Sequence, residues 1–251
     1  RRTMMSETTE ALPLDLGVIA GMPDTVVGGE GVMVAAGDHD NIVLGRNASG
    51  MAGAHSTIQA GDWSRAVAGD YAVSVAQRNG HAITGMRGLS IAGRRGFAHA
   101  GDGGIAVAGF DDAVDTALRN LSAQRAALEE DGFAYEMDME SLLDDDEMEA
   151  ILSINLAGAE GEAHVGSIGI AVVAQFGVAV GGALSVVRAG DYGHATAGNG
   201  GVVIAGKHGH LTLRDENGRF VSATIDNKKY HPDTPYCLVN GKLVVAKHIV
   251  M

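Results

Sequence analysis

Glycine recurs every eight residues along most of this chain, and few folds accommodate such a repeat. Eight-residue units begin at Gly21 and continue in register to Ala108; the same register returns at Gly158 and ends at Leu213. Among these eighteen units, sixteen begin with glycine, fifteen have Gly, Ala or Ser at position four, and eleven have alanine at position eight. A fixed short period of this kind is the sequence signature of an architecture in which similar structural units stack on one another.

The eight-residue period predicts short β-strands joined by corners. Positions four, six and eight alternate along the chain, so in an extended strand they point to one side, and their small side chains predict a narrow interior. Glycine at position one is expected to form the corner, because it adopts a positive φ without steric cost. Two units complete one flattened coil, and coils stack about 4.8 Å apart through backbone hydrogen bonds. The chain is therefore predicted to be all-β, a β-solenoid of about nine sixteen-residue coils.

Positions five and seven are expected to point outward, with odd and even units on opposite faces of the solenoid. If Gly158 begins the twelfth unit, the odd units carry an almost wholly apolar set of outward side chains, which we call the aliphatic row. Because a large exposed apolar patch marks an interface, we predict a homodimer through this row, with residues 109–157 covering part of it. The predicted dimer residues are Val73, Val75, Leu89, Ile91, Ile105, Val107, Ile170, Val172, Val186, Val202 and Ile204.

The even units carry several outward histidines, and we call this side the histidine face. The register places His194 next to His210 and His99 next to His164, on adjacent coils, with Glu162 beside His164. Three interpretations remain open. The side chains are an exposed polar ladder, a transition-metal site formed by stacked imidazoles and one carboxylate, or contacts for a small ligand.

Residues 109–157 interrupt the repeat and carry nearly all of the net charge. The segment has fourteen acidic and two basic residues, a net charge of −12, whereas the whole chain has −13. Apolar spacing predicts two helices, Asp111 to Gly132 and Ser141 to Ile154, hence an acidic α-helical hairpin. It is interpreted either as a solvated acidic surface or as a docking element for a basic host protein. The candidate partner-binding residues are Asp138, Glu140, Asp144, Asp145, Asp146, Glu147 and Glu149.

Calcium binding by the same segment is a further interpretation. The stretch from Asp131 to Glu140 is rich in carboxylates, which are the ligands that Ca²⁺ prefers. It lacks the spacing and the central glycine of an EF-hand loop. The sequence therefore gives calcium less support than it gives a protein partner.

Composition restricts the remaining function classes. The single cysteine, Cys237, excludes an internal disulfide framework and a multi-cysteine zinc site. Residues 1–10 contain no apolar stretch typical of signal peptides, and no run of eighteen apolar residues occurs, so we predict a cytoplasmic location without membrane contact. The net charge argues against direct nucleic-acid binding. No nucleophile–base set stands out from the repeat, so we expect no enzymatic activity and no cofactor.

The chain is predicted to have five parts. Residues 1–20 form an N-terminal tail and cap, and residues 21–108 and 158–213 are the two stretches of solenoid on either side of the insertion 109–157. Residues 214–251 form a C-terminal cap, because Asn240-Gly241 between two apolar runs predicts a β-hairpin, and a solenoid end needs its unpaired backbone covered.

Two stretches carry a resemblance to known proteins. The octad Gly190-Asp191-Tyr192-Gly193-His194-Ala195-Thr196-Ala197 and the closing module Pro235-Tyr236-Cys237-Leu238-Val239-Asn240-Gly241-Lys242 resemble phage and prophage proteins of unknown function. The octads are more distantly similar to ice-nucleation repeats, but those present outward Thr-x-Thr rows, and here only Thr196 and Thr212 align.

The resemblance implies a phage-associated interaction protein. Such a protein would occupy a host macromolecule, for example a defence component, in the host cytoplasm and so act as an inhibitor. The alternatives are a small-ligand sponge or metal binder that uses the histidine face, and a virion, scaffold or ice-binding structural protein.

Overall fold

The protein is an all-β solenoid built from two β-sheets whose strands run parallel up to the C-terminal cap. The structure is a computed structural model that describes the backbone of residues 16–18 and residues 25–110 and 160–246. All regular elements in these ranges are β-strands, and they form two sheets of eleven strands each. From Leu16 to Arg214 the strands alternate between the two sheets along the chain, so two consecutive strands and their corners make one coil. The predicted solenoid of about nine coils is confirmed.

The histidine sheet contains the strands of the even units. Its strands are β1 (Leu16–Val18), β3 (Met33–Ala35), β5 (Ser49–Met51), β7 (Arg65–Val67), β9 (His81–Ile83), β11 (Gly96–Ala100), β13 (Gly161–Val165), β15 (Val178–Val180), β17 (His194–Ala197), β19 (His210–Arg214) and β20 (Phe220–Thr224).

The aliphatic sheet contains the strands of the odd units and the C-terminal hairpin. Its strands are β2 (Val26–Gly28), β4 (Asn41–Leu44), β6 (Thr57–Ala60), β8 (Val73–Ala76), β10 (Leu89–Gly93), β12 (Ile105–Phe110), β14 (Ile170–Val173), β16 (Val186–Ala189), β18 (Val202–Ala205), β21 (Tyr236–Val239) and β22 (Lys242–Val245).

The interior of the solenoid is narrow, as the small residues predict. The position-six alanines Ala82, Ala98, Ala163 and Ala179 are fully buried and stack directly on one another. Where larger side chains enter, the opposite sheet compensates: a Cβ added to Gly50 would come within 3.0 Å of the Leu44 and Ile58 side chains. The enclosed volume is thus kept nearly constant from coil to coil, which dense packing requires.

The insertion leaves the stacking register intact. Neighbouring strands are normally offset by sixteen residues, as in the pairing of Arg65 with His81. Across the insertion Phe97 pairs with Glu162 and Ile105 with Ile170, a step of 65 residues that equals 16 plus the 49 residues of segment 109–157. The predicted register, in which the repeat continues after the insertion as the twelfth unit, is therefore confirmed by the strand pairing of the described residues on both sheets.

The corners differ from the prediction. Positive φ occurs at position three, on residues such as His55, Trp63 and Tyr71, with φ values of 54°, 59° and 55°. The position-one glycine serves close stacking instead: a Cβ added to Gly101 would lie 2.8 Å from the carbonyl carbon of Gly85 one coil away. The expectation that this glycine supplies the positive φ is therefore wrong. Because the backbone of the adjacent coil cannot move aside to admit a Cβ, steric contact between coils is the reason that glycine recurs at position one.

Aspartates at position two connect one corner to the next. The Asp70 carboxylate accepts a hydrogen bond from the backbone N–H of Met86 at 2.7 Å, and Asp191 accepts one from Lys207 at 2.7 Å. In each case the donor lies sixteen residues further along, on the adjacent coil. These charge-assisted bonds satisfy corner amides that no strand pairs with.

The C-terminal end of the solenoid changes from parallel to antiparallel pairing. Strand β20 pairs antiparallel with β19, and β21 pairs antiparallel with β18 and with β22. The hairpin turn has φ of 50° at Asn240 and 71° at Gly241, as expected for an Asn-Gly hairpin turn. The predicted hairpin cap is confirmed, and it covers backbone groups that a further coil would otherwise pair.

A pair of glycine substitutions tests the stacking argument. Gly101→Ala places a Cβ against the Gly85 backbone and is expected to lower the free energy of unfolding by about 1–3 kcal/mol. Gly29→Ala is the matched control at the same repeat position, because nothing lies within 4 Å of its added Cβ, and it should change stability by less than about 1 kcal/mol. Urea unfolding measures the free energy of unfolding of both variants. Equal losses of stability would contradict the role of position-one glycine in coil stacking.

Deletion of the insertion tests the independence of the solenoid. Removing residues 109–157 joins Ala108 directly to Gly158, which restores the eight-residue period. Because the strands on either side already pair in register, the shortened chain is expected to keep the β-sheet circular dichroism spectrum and cooperative unfolding. Loss of the β-sheet signal would show that the segment is needed for the fold.

Candidate functional site

The aliphatic row points away from the interior and yet is mostly buried. Nine of the eleven predicted dimer residues, from Leu89 to Ile204, are 0–7% exposed within the single chain, whereas Val73 and Val75 are half-buried. Among the described residues outside the row, Ala174, Cys237 and Ala246 join this cluster. Of the eleven predicted dimer residues, Val73 and Val75 are thus the ones accessible at the surface. A dimer through the whole aliphatic row stays a prediction, and it requires that the other nine side chains become uncovered.

One charged side chain interrupts the aliphatic row. Arg188 pairs with Val172 and Ile204 on the neighbouring strands, and its side chain is 6% exposed. Burial lowers the pKa of its guanidinium, an effect opposed by Asp233, whose carboxylate lies 3.3 Å from the guanidinium. Because a buried charge is costly when unpaired, Asp233 fixes the segment between β20 and β21 to this part of the row.

Cys237 lies at the C-terminal end of the same row. Its side chain is buried, and burial raises the pKa of the thiol. A reactive cysteine needs a stabilised thiolate, which is the opposite situation. Cys237 is therefore a packing residue of the cap.

The histidine face is open along its whole length. From Met33 to Thr212, none of the outward side chains at positions five and seven is buried, and Met33 and Met51 are more than half exposed. His194 and His210 stack with ring centroids 4.7 Å apart. Phe97 lies between His81 and His164, at centroid distances of 5.7 and 5.2 Å. The predicted adjacency of His194 with His210 is confirmed, and strand pairing aligns His99 with His164 as predicted.

The five candidate metal ligands fall into two groups. His99, Glu162 and His164 lie on two adjacent coils, and the nearest Glu162–His164 contact is 3.8 Å between a carboxylate oxygen and Nε2. His194 and His210 lie further along, beyond the coil that carries Val178 and Val180. In the described part of the chain no three His, Cys, Asp or Glu side chains are grouped to hold a metal ion. The five residues therefore do not form one site.

Two aromatic ladders follow the exposed corners, and the sequence analysis missed them. His39, His55 and Tyr71 stack with centroids 5.0 and 5.2 Å apart. At the other corner Phe176, Tyr192 and His208 stack with centroids 5.2 and 5.0 Å apart. All six occupy position three, so comparing that position every sixteen residues would have found them. Stacking offsets the cost of a positive φ at bulky residues.

The seven acidic candidates between Asp138 and Glu149 lie outside the described residues, as do both predicted helices. The structure does define where the segment leaves and rejoins the solenoid. The chain departs after β12, and the backbone N–H of Arg95 already bonds to the carbonyl of Glu160 at 2.9 Å on its return. The chain thus leaves and re-enters the solenoid between β12 and β13.

Comparisons with known proteins add no relative. No family model matches this chain, and no match was found among curated proteins or solved structures. The resemblance to phage proteins therefore depends on the octads and the closing module alone. Separately, the described residues contain no helix of sufficient length and hydropathy to cross a bilayer.

Acidification is expected to destabilise the solenoid through His99. Burial, and then the neighbouring His164, lower the pKa of His99, so the folded state favours its neutral form. The unfolded chain binds the proton more readily, and stability is therefore lost as the pH falls through and below the ordinary histidine pKa of about 6.5. Urea midpoints at about pH 5 and pH 7.5 should differ less in His99→Gln than in the wild type. His231→Gln, an exposed residue of the C-terminal cap, is the control and should keep the wild-type difference.

Proposed function

We propose that this protein is a non-enzymatic binding protein in which the solenoid is a rigid carrier and segment 109–157 contacts a basic macromolecular partner. The observation that supports this proposal is the unbroken strand register across the insertion. A segment of 49 residues that the stacking does not use is retained for another purpose, and functional residues concentrate on such insertions.

Charge indicates the class of partner. The segment holds −12 of the net charge of −13, so the remainder of the chain is close to neutral. A strongly acidic surface attracts basic partners, speeds their association and repels nucleic acid. The favoured partner is therefore a protein with a basic surface. The resemblance to phage proteins adds the expectation that it is a host protein, such as a defence component.

The described polar interior supports a binding role over catalysis. The hydroxyl of Ser74 donates to the carbonyl of Ala66 at 2.7 Å, and that of Ser90 donates to the carbonyl of His99 at 2.6 Å. Ser185 donates to the carbonyl of Gly182 at 2.7 Å. These buried hydroxyls serve the backbone, and a nucleophile would instead need a base within hydrogen-bond reach.

Neutralising the segment tests the proposal without changing its length. The variant Asp144→Asn, Asp145→Asn, Asp146→Asn, Glu147→Gln is expected to bind the partner identified with the wild-type protein at least about tenfold more weakly, because charge complementarity is lost. The partner is identified by affinity capture from host extract and mass spectrometry, and binding to the purified partner is measured by calorimetry at two salt concentrations.

The control is Glu30→Gln with Glu216→Gln, two exposed carboxylates outside the segment, one on the solenoid and one in the C-terminal cap. It should leave the affinity unchanged. Unchanged binding by the neutralised variant, or by the chain without residues 109–157, would refute the proposed role of the segment.

A further inference from the structure

The histidine face has a composition that a solvent-facing sheet does not require. Its eighteen outward side chains at positions five and seven, from Met33 to Thr212, are all partly or fully exposed, and two of them, Arg65 and Glu162, carry a formal charge. Met33 is 53% and Met51 is 54% exposed. Depletion of charge together with exposed methionine and aromatic side chains is the composition of an interface core. This surface is available in the single chain, unlike the aliphatic row.

The two charges stand in one column of the face. Strand pairing aligns Arg65 with His81, His81 with Phe97, and Phe97 with Glu162. Arg65 and Glu162 are therefore three coils apart, about 14 Å at the usual strand spacing. The midpoint between them lies between β9 and β11.

We propose that two copies of this chain pair through their histidine faces about a two-fold axis that runs parallel to the strands and passes between β9 and β11. In a symmetric dimer each contact occurs twice, with the two residues exchanged between the copies. An axis parallel to the strands reverses the order of the coils and keeps each column aligned with itself. Arg65 of each copy then lies opposite Glu162 of the other, and both charges on the face are paired.

The same two-fold rotation also places uncharged side chains of the two copies opposite each other. His81 lies opposite Phe97 of the second copy, and in the neighbouring column Ile83 lies opposite His99. The alternative two-fold axis, along the stack of coils, would instead place Arg65 opposite Val67 and leave its charge unpaired in the interface, which is unfavourable. Charge pairing thus selects one of the two face-to-face arrangements.

The size of the face fits a weak dimer. Eight coils at about 4.8 Å and strands of about four residues at 3.3 Å give roughly 500 Å² on each copy. The total of about 1,000 Å² is near the lower end of specific protein interfaces. We therefore expect dissociation on dilution. This inference does not depend on the proposed function, although two copies would present two acidic segments to a multivalent partner.

Charge exchange tests both the dimer and its register. By sedimentation over a range of protein concentrations, the wild type is expected to dimerise, and Arg65→Glu and Glu162→Arg should each raise the dissociation constant about tenfold or more, because like charges then meet. The double variant Arg65→Glu with Glu162→Arg should recover dimerisation, since each new charge again faces its opposite. Both side chains are exposed in the single chain, so the variants are expected to fold.

Two control variants separate the competing arrangements. Arg46→Glu, at an exposed corner, should leave dimerisation unchanged. Val75→Glu changes a residue of the aliphatic row. If this variant is monomeric while the Arg65 and Glu162 variants still dimerise like the wild type, the interface lies on the aliphatic row instead. A wild type that remains monomeric, or single variants whose combination does not recover dimerisation, would overturn the proposal.

Discussion

Backbone hydrogen bonding between coils is the interaction on which the rest of this structure depends. Apart from the step across the insertion, the strands of the repeat pair with strands sixteen residues away, and the spacing that this imposes brings the corners into backbone contact. Glycine at position one, small residues inside and aspartate at position two all follow from that spacing, because nothing larger fits and the corner amides need acceptors. The repeat is thus the sequence consequence of a fixed distance between neighbouring coils.

The same local bonding explains how the chain accommodates a large insertion. In a solenoid each coil contacts mainly its neighbours, so a segment can leave at one corner without disturbing distant parts of the fold. The pairs Phe97–Glu162 and Ile105–Ile170 on opposite sheets show that the register survives the interruption. An acidic segment of 49 residues is therefore accommodated by a nearly neutral solenoid whose strand register continues across it.

The two outer faces show how one repeat produces two different surfaces. On both faces the side chains at positions five and seven point outward. The row containing Leu89 and Ile204 is nevertheless buried within the chain, whereas the face containing Arg65 and His194 is exposed. Burial of one face leaves the other available to a partner outside the chain. The proposed contact between two copies uses the exposed face, and the proposed contact with a basic protein uses the insertion.

The eight-residue period by itself determined the coil, the small interior, the adjacency of His194 with His210 and the continuation of the repeat after the insertion, because these follow from alternation and strand stacking alone. The Asn240-Gly241 hairpin was equally predictable, because the turn follows from the local conformational preference of Asn-Gly. Only the tertiary structure decided that Leu89 is covered, that Arg188 meets Asp233 and that position-one glycines relieve backbone contact. Those outcomes depend on which segments approach each other in space, and a repeat that looks the same on every coil carries no information about that.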